Sequence, residues 1–172
     1  MPSQCADRRF ERRPVTIVGQ SLGGVYAREF ARLQPDAVRM VVTLSSPFGS
    51  FHSNHFHPFL TRIFKRMAGV TPEQAREQRL TVDPKIAPPE PCTAIYSKSD
   101  GVVPWQTCIE YVERYNENVE VLSSHIDMDI HPHVLHVIKD RLGQDKSNWI
   151  LFDRDTLARR VIFPKPSDRY PN

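Results

Sequence analysis

Residues 15–36 read VTIVGQSLGGVYAREFARLQPD, which predicts a strand, a sharp turn and a helix. The β-branched run PVTIV at 14–18 predicts a buried strand. An amphipathic helix is predicted to follow, because large apolar side chains recur at helical spacing and charged ones lie opposite them. The predicted buried face comprises Leu22, Val25, Tyr26, Phe30 and Leu33, and the exposed face comprises Arg28, Glu29 and Arg32.

Three more apolar runs predict strands, namely VRMVVTL at 38–44, TAIYS at 93–97 and NVEVLS at 118–123. A strand, a helix and a second strand joined by short links form a βαβ unit, so we predict a parallel sheet and an α/β fold.

The last predicted helix starts near Pro132 and ends before Gly143. Its predicted buried side comprises Val134, Leu135, Val137, Ile138 and Leu142. We expect the tail from about residue 147 to 172 to be irregular, partly packed through Trp149, Phe152 and Phe163 and partly loose.

Residues 49–92 form a predicted insertion between the second and third strands, with a helix over 56–67 and the proline-rich connector DPKIAPPEP. A small lid packed on the domain is the favoured interpretation of this helix, and an element that binds a lipid surface is the alternative. The preceding HSNHFH places His52, His55 and His57 at a spacing that invites zinc, but no nearby cysteine or carboxylate completes four ligands. We therefore expect a polar loop and no metal.

The overall composition fits one domain of 172 residues. A net charge of +3 is too small and too scattered to indicate nucleic acid, and the arginines near the N-terminus fit a solvated arm. Cys5, Cys92 and Cys108 form neither a disulfide framework nor a zinc motif, so we expect free thiols in a reducing, cytoplasmic location. No apolar run is long enough to span a membrane, and the N-terminus lacks the apolar core of a secretory signal.

The turn at 19–23 has the pattern G-x-S-x-G between a predicted strand and a predicted helix, which is typical of a nucleophile elbow. Gly19 and Gly23 are expected to be required because a Cβ would clash where the turn approaches its neighbours. Ser21 is then held in a strained conformation with Oγ exposed above the strand ends. The backbone N–H of Leu22 is the candidate oxyanion donor. The alternative is a glycine-rich turn that carries an ordinary serine.

A nucleophilic serine needs a base that is held by a carboxylate. Asp100 lies just past the third predicted strand and His125 just past the fourth, so both are expected at the same sheet edge as Ser21. Other candidates lie further along the chain: His131, His133 and His136 as the base, and Asp127 and Asp129 as acids that orient a histidine.

The segments VTIVGQSLGGVYAREFARLQPDAVRMVVTLSSPFG, TAIYSKSDGVVPW and VEVLSSHIDMDIHPHVLHVIKDRL resemble the C-terminal half of a bacterial α/β-hydrolase-fold esterase or lipase. The resemblance runs from about residue 14 to 152. It implies that Ser21 is the nucleophile, Asp100 the triad acid and His125 the base, and that the helix near 56–67 is part of a small cap. It implies a partial α/β-hydrolase fold over residues 1–172, with the cap insertion at 49–92.

In the resembling family the elbow strand is the fifth of eight, and the preceding segment supplies the second oxyanion N–H. Only MPSQCADRRFER precedes the elbow strand here. We therefore expect an N-terminally truncated domain whose elbow strand is an exposed apolar edge, able to self-associate. A truncated reading frame, completion by another chain and an inactive remnant all remain open.

The resulting functional hypothesis is a cofactor-independent serine hydrolase that acts on a small carboxylic ester with an apolar acyl group. Acyl transfer to an acceptor other than water uses the same chemistry. A non-catalytic binding or remnant domain is the alternative to an enzyme.

Overall fold

The computed structural model describes residues 13–48, 86–111, 115–145 and 148–167. The strands are β1 (Val15–Gln20), β2 (Val38–Leu44), β3 (Cys92–Tyr96) and β4 (Asn116–Glu120). The α-helices are α1 (Leu22–Leu33), α2 (Pro132–Leu142) and α3 (Leu157–Ile162). Short 3₁₀ turns span Pro35–Ala37 and Trp105–Cys108.

The four described strands form one sheet in the order β1-β2-β3-β4, and every neighbouring pair is parallel. This confirms the parallel sheet and the α/β class predicted from the sequence. The register places Gln20 beside Leu44 and Tyr96 beside Glu120, so the carboxyl ends of the strands lie close together. The segments that follow β1, β3 and β4 therefore leave the sheet at the same side.

The core lies on both faces of the sheet. On one face the small side chains of α1, Ala27 and Ala31, pack against Val38, Val41 and Cys92. On the other face, α2 and the C-terminal segment cover the sheet with a larger apolar cluster. That cluster comprises Met40, Val42, Leu44, Ile95, Val119, Val121, Met128, Val134, Val137, Phe152 and Phe163.

The buried face predicted for α1 is wrong. Tyr26, Phe30 and Leu33 are exposed by 45%, 45% and 68%. The buried residues are instead Gly24, Ala27, Arg28 and Ala31. Small side chains let the helix lie close to the sheet, which is why the larger apolar residues point away from it.

Arg28 is buried on this face although its charge predicted exposure. Its guanidinium lies 3.8 Å from the centre of the Phe48 ring and forms an ion pair with the equally buried Glu110. A buried charge is tolerated when it is paired in this way. Both partners come from distant parts of the chain, so the local pattern could not reveal them.

β1 is also less buried than predicted. Val15 and Val18 are 54% and 42% exposed because β1 is the edge of the described sheet and pairs only with β2 in it. β4 lies two residues earlier than the predicted run at 118–123. Apart from Val119, its buried side chains are polar, so an apolar pattern did not reveal where the strand begins. Glu117, for example, accepts hydrogen bonds from Arg141 Nη1 at 2.6 Å and Thr93 Oγ1 at 3.0 Å.

α2 has the predicted bounds, but Leu135 and Leu142 are half exposed while Arg141 is buried. The tail is more regular than predicted because it contains α3, whose first turn is capped by Thr156 Oγ1 accepting from Arg159 N at 3.2 Å. A helix of six residues is too short to show a clear apolar period. Phe152 and Phe163 are buried, as the expected partial packing requires.

Several predictions lie outside the described residues. They are the helix at 56–67, the histidines of the HSNHFH motif, Cys5 and the N-terminal arginines up to Arg12. The cap at 49–92 stays a prediction, since only its end from residue 86 is described.

Candidate active site

Ser21 occupies the sharp turn between β1 and α1. Its φ of 52° and ψ of −125° are unusual for a residue with a side chain. Such a backbone conformation costs on the order of 1–3 kcal/mol and persists only where the surroundings hold it. Here Ser21 N donates to Leu44 O at 2.8 Å, and Ser21 O accepts from Gly24 N at 3.2 Å. The turn is thus fixed to the end of β2 and to the first turn of α1.

The glycines of this turn differ from the expectation in one respect. A Cβ on Gly19 would lie 2.6 Å from the carbonyl carbon of Gly23, so glycine is required at 19. A Cβ on Gly23 would meet nothing within 4 Å, so the predicted clash there is wrong. The crowded helical position is Gly24, where a Cβ would lie 2.7 Å from Gly19 O and would also meet Ser46 Oγ. Gly23 matters through its backbone, which Gly19 approaches.

Asp100 and His125 are brought together across 25 residues of sequence. His125 Nδ1 lies 2.8 Å from Asp100 Oδ2, and His125 N donates to Asp100 O at 3.3 Å. The other carboxylate oxygen, Oδ1, accepts from the backbone N–H groups of Val102 at 2.9 Å and Val103 at 2.6 Å. The carboxylate is buried and the imidazole is partly exposed.

The surroundings of Asp100 favour its charged form. Burial is the largest influence and by itself raises the pKa of Asp100. Hydrogen bonds from His125, Val103 N–H and the Ser45 side chain outweigh it, so the pKa of Asp100 is lowered from its usual value. An ionised Asp100 can hold the His125 ring with its proton on Nδ1, leaving Nε2 as a base.

Three polar residues at the strand ends were missed by sequence reasoning. Ser45 follows β2, is buried at a φ of 43°, and its side chain helps to lower the pKa of Asp100. Ser97 follows β3, and its Oγ accepts from Ser99 N and Ser123 N, both at 3.1 Å, which ties the loop of Asp100 to that of His125. Gln20 ends β1, and its Nε2 donates to His125 O at 2.6 Å. Their position directly at the ends of parallel strands was the available signal.

Among the described residues, no hydrogen bond joins Ser21 Oγ to His125. The described link is the hydrogen bond from the side chain of Gln20, the residue before Ser21, to His125 O. The bond between nucleophile and base is often long in unliganded sites and closes with the substrate. Leu22 is the first residue of α1. Its N–H lies in the first helical turn, where backbone donors have no acceptor within the helix.

The alternative histidines and aspartates have other contacts. His131 Nδ1 accepts from His133 N at 3.3 Å and so caps α2, and the His136 ring stacks on Phe163 at a centroid distance of 6.0 Å. Asp127 Oδ2 accepts from Ser124 Oγ at 2.9 Å at the surface. Asp129 is exposed, like most acids in loops.

Within the described ranges, no group of three or more His, Cys, Asp and Glu side chains is arranged to hold a metal ion. Cys92 and Cys108 are buried free thiols, and burial raises the pKa of Cys92 to about 11. No helix in the described part of the chain is both long and apolar enough to cross a membrane.

Comparison with known proteins places the chain in a family. Residues 3–140 match the family model described as Uncharacterised protein family (UPF0227). The chain belongs to this family. No match is found among the curated proteins.

Solved structures with low sequence identity are similar to this UPF0227 member. Rv0554 from Mycobacterium tuberculosis is 14% identical, with a TM-score of 0.50 and coverage of 74% of this chain and 64% of that one. Mouse alpha/beta hydrolase domain-containing protein 10 is 18% identical, with a TM-score of 0.48 and coverage of 75% and 60%. The monoacylglycerol lipase of Paleococcus ferrophilus is 13% identical, with a TM-score of 0.44 and coverage of 76% and 67%.

The UPF0227 chain therefore spans roughly two thirds or less of the length of these structures. Together with the four parallel strands and their flanking helices, the comparison confirms a partial α/β-hydrolase fold and the sequence resemblance to that family.

Proposed function

We propose that this protein is a serine hydrolase of carboxylic esters in which Ser21 is the nucleophile, His125 the base and Asp100 the orienting acid. The observation that carries the proposal is the 2.8 Å contact between His125 Nδ1 and Asp100 Oδ2. This contact lies at the carboxyl ends of the strands, where Ser21 follows β1 and has a positive φ. A buried carboxylate, an imidazole and a serine in a strained turn are the parts that acyl transfer needs.

The reaction proceeds in two halves. His125 Nε2 takes the hydroxyl proton while Ser21 Oγ bonds to the ester carbonyl carbon, and the alcohol leaves with that proton as the acyl-enzyme forms. Water then attacks the acyl-enzyme and gives a proton to His125, which passes it to Ser21 Oγ as the bond between Oγ and the acyl carbon breaks and the carboxylic acid leaves. The N–H of Leu22 donates to the oxyanion in both halves. No cofactor takes part.

Exposed apolar residues near His125 in the sequence support the proposed substrate class. Leu122, Ile126 and Ile130 flank it in sequence and are exposed, which supports a small ester with an apolar acyl group. A cytoplasmic location and self-association through β1 stay predictions. The exposure of Val15 and Val18 at the sheet edge supports the latter.

Hydrolysis of p-nitrophenyl butyrate by purified protein tests the proposal. Ser21→Ala, His125→Ala and Asp100→Asn are each expected to lower kcat by about 10³-fold or more, because the three groups act as a unit. His136→Ala and Asp127→Asn are the matched controls and should leave kcat unchanged.

A folded wild-type protein without activity above these variants would contradict the proposal. It would favour a non-catalytic binding or remnant domain. Equal losses in the His136 and His125 variants would contradict the assignment of His125 as the base.

A further inference from the structure

Gln20 joins two segments, the nucleophile turn at residues 19–23 and the histidine loop at residues 121–131, which follows β4. It is the last residue of β1, directly before Ser21, and its Nε2 donates to the backbone carbonyl of His125 at 2.6 Å. The acceptor is a carbonyl oxygen, so only the amide NH₂ end of Gln20 can face it. The contact spans 105 residues of sequence and is partly buried.

The other described contacts of the histidine loop reach the opposite side of the site. Ser123 N donates to Ser97 Oγ at 3.1 Å, and His125 N donates to Asp100 O at 3.3 Å. These bonds set His125 relative to the acid loop that follows β3. The hydrogen bond from Gln20 connects the same loop to the end of β1, next to Ser21.

We propose that Gln20 is a positioning residue that sets the separation between Ser21 Oγ and His125 Nε2. The inference rests on the proposed function. Proton transfer requires the base within about 2.6–3.2 Å of the hydroxyl oxygen. A displacement of about 1 Å can cost on the order of a hundredfold in rate. Because Gln20 belongs to the strand and adjoins Ser21, its amide moves with the nucleophile turn and carries the histidine loop with it.

Gln20→Met tests this role, since methionine keeps the length of the side chain and removes the donor. The matched control is Thr16→Val, which also removes side-chain hydrogen bonds from β1, where Arg39 Nη2 donates to Thr16 Oγ1 at 2.8 Å. Both variants and the wild type are titrated with p-nitrophenyl butyrate for kcat and KM. The pseudo-first-order rate of inactivation by a fluorophosphonate is measured in parallel, at a temperature where circular dichroism shows all three folded.

A lower kcat for Gln20→Met, by about tenfold to a hundredfold, with KM nearly unchanged and a matching drop in the inactivation rate is the expected result. Thr16→Val should retain the wild-type values. If the side chains of Gln20 and Thr16 contributed to stability alone, both variants would have a lower midpoint of unfolding and the kcat of the folded proteins would be unaltered.

Failure of the inference and failure of the proposed function look different. A reactive wild type with an equally reactive Gln20→Met overturns the positioning role alone. A wild type that neither hydrolyses the ester nor reacts with the fluorophosphonate overturns the function and the positioning role together. Equal loss of kcat in Gln20→Met and Thr16→Val also overturns the inference, because the effect would then belong to β1 as a whole.

Discussion

Two adjacent glycines at the start of α1 respond differently to alanine. At both positions alanine favours the helix by up to about 1 kcal/mol over glycine. A Cβ at position 23 meets no atom within 4 Å, so Gly23→Ala should be neutral or stabilising by up to this amount. A Cβ at position 24 would lie 2.7 Å from Gly19 O and 2.8 Å from Ser46 Cβ, closer than real Cβ contacts come.

The cost at position 24 cannot be relieved by a side-chain rotation alone. Gly19 O belongs to the backbone of β1, and Ser46 is buried with its Oγ donating to Gly19 O at 3.3 Å and Leu44 O at 3.2 Å. Overpacking of this kind costs about 1–3 kcal/mol. The helix preference is similar for both variants and cancels when they are compared. Gly24→Ala should therefore be less stable than Gly23→Ala by about 1–3 kcal/mol.

Urea unfolding followed by circular dichroism and by tryptophan fluorescence measures this difference. The two probes must coincide and the m-values must agree for the free energies of unfolding to be comparable. Equal stability of the two variants, or a less stable Gly23→Ala, would refute the close approach of α1 to β1. Because Gly19 lies two residues before Ser21, Gly24→Ala should also slow ester hydrolysis, whereas Gly23→Ala should not.

Three further predictions concern charge and edges. The lowered pKa of Asp100 means that its charged form contributes stability above the unfolded pKa of about 4, and that this contribution is lost as pH falls through the lower folded value. The stability difference between wild type and Asp100→Asn should thus shrink below about pH 4, and a constant difference from pH 6 to pH 3 would disprove it. Arg28→Met should cost about 3–5 kcal/mol in urea unfolding by leaving the Glu110 charge buried, and a cost below about 1 kcal/mol would show that the pair is unimportant. Val18→Lys should lower the average mass seen by light scattering at high protein concentration, since a lysine on an edge strand opposes pairing, and identical masses would argue against association through β1.

The sheet and the position of the site were predictable from sequence because both depend on local signals. Continuous apolar runs identify β2 and β3. A helix that links consecutive strands predicts that they are parallel, so that their carboxyl ends lie on the same side of the sheet. That arrangement is enough to bring Asp100 and His125 to one edge. Their contact follows from the topology, although the sequence could not give its distance.

The incorrect predictions concern side chains whose burial depends on distant partners. The largest apolar residues of α1 were expected to face the sheet, but the close approach of this helix to the sheet requires small residues there. Arg28 is buried because its guanidinium stacks on Phe48 and forms an ion pair with Glu110. The first two residues of β4, Asn116 and Glu117, escaped recognition because they are polar, and the buried Glu117 is paired by other elements. Nothing local in the sequence indicates that the Gln20 amide reaches a carbonyl 105 residues away.

Covalent labelling by a fluorophosphonate tests the central claim most directly, because the reagent reacts with serines that a neighbouring base activates. Intact mass and peptide mapping of the labelled protein report both stoichiometry and site. We predict one adduct per chain, located on Ser21, that is lost in Ser21→Ala and His125→Ala and retained in His136→Ala. A soluble, cooperatively folded wild-type protein that remains unlabelled, or one labelled at another residue, would contradict the assignment of Ser21 as an activated nucleophile.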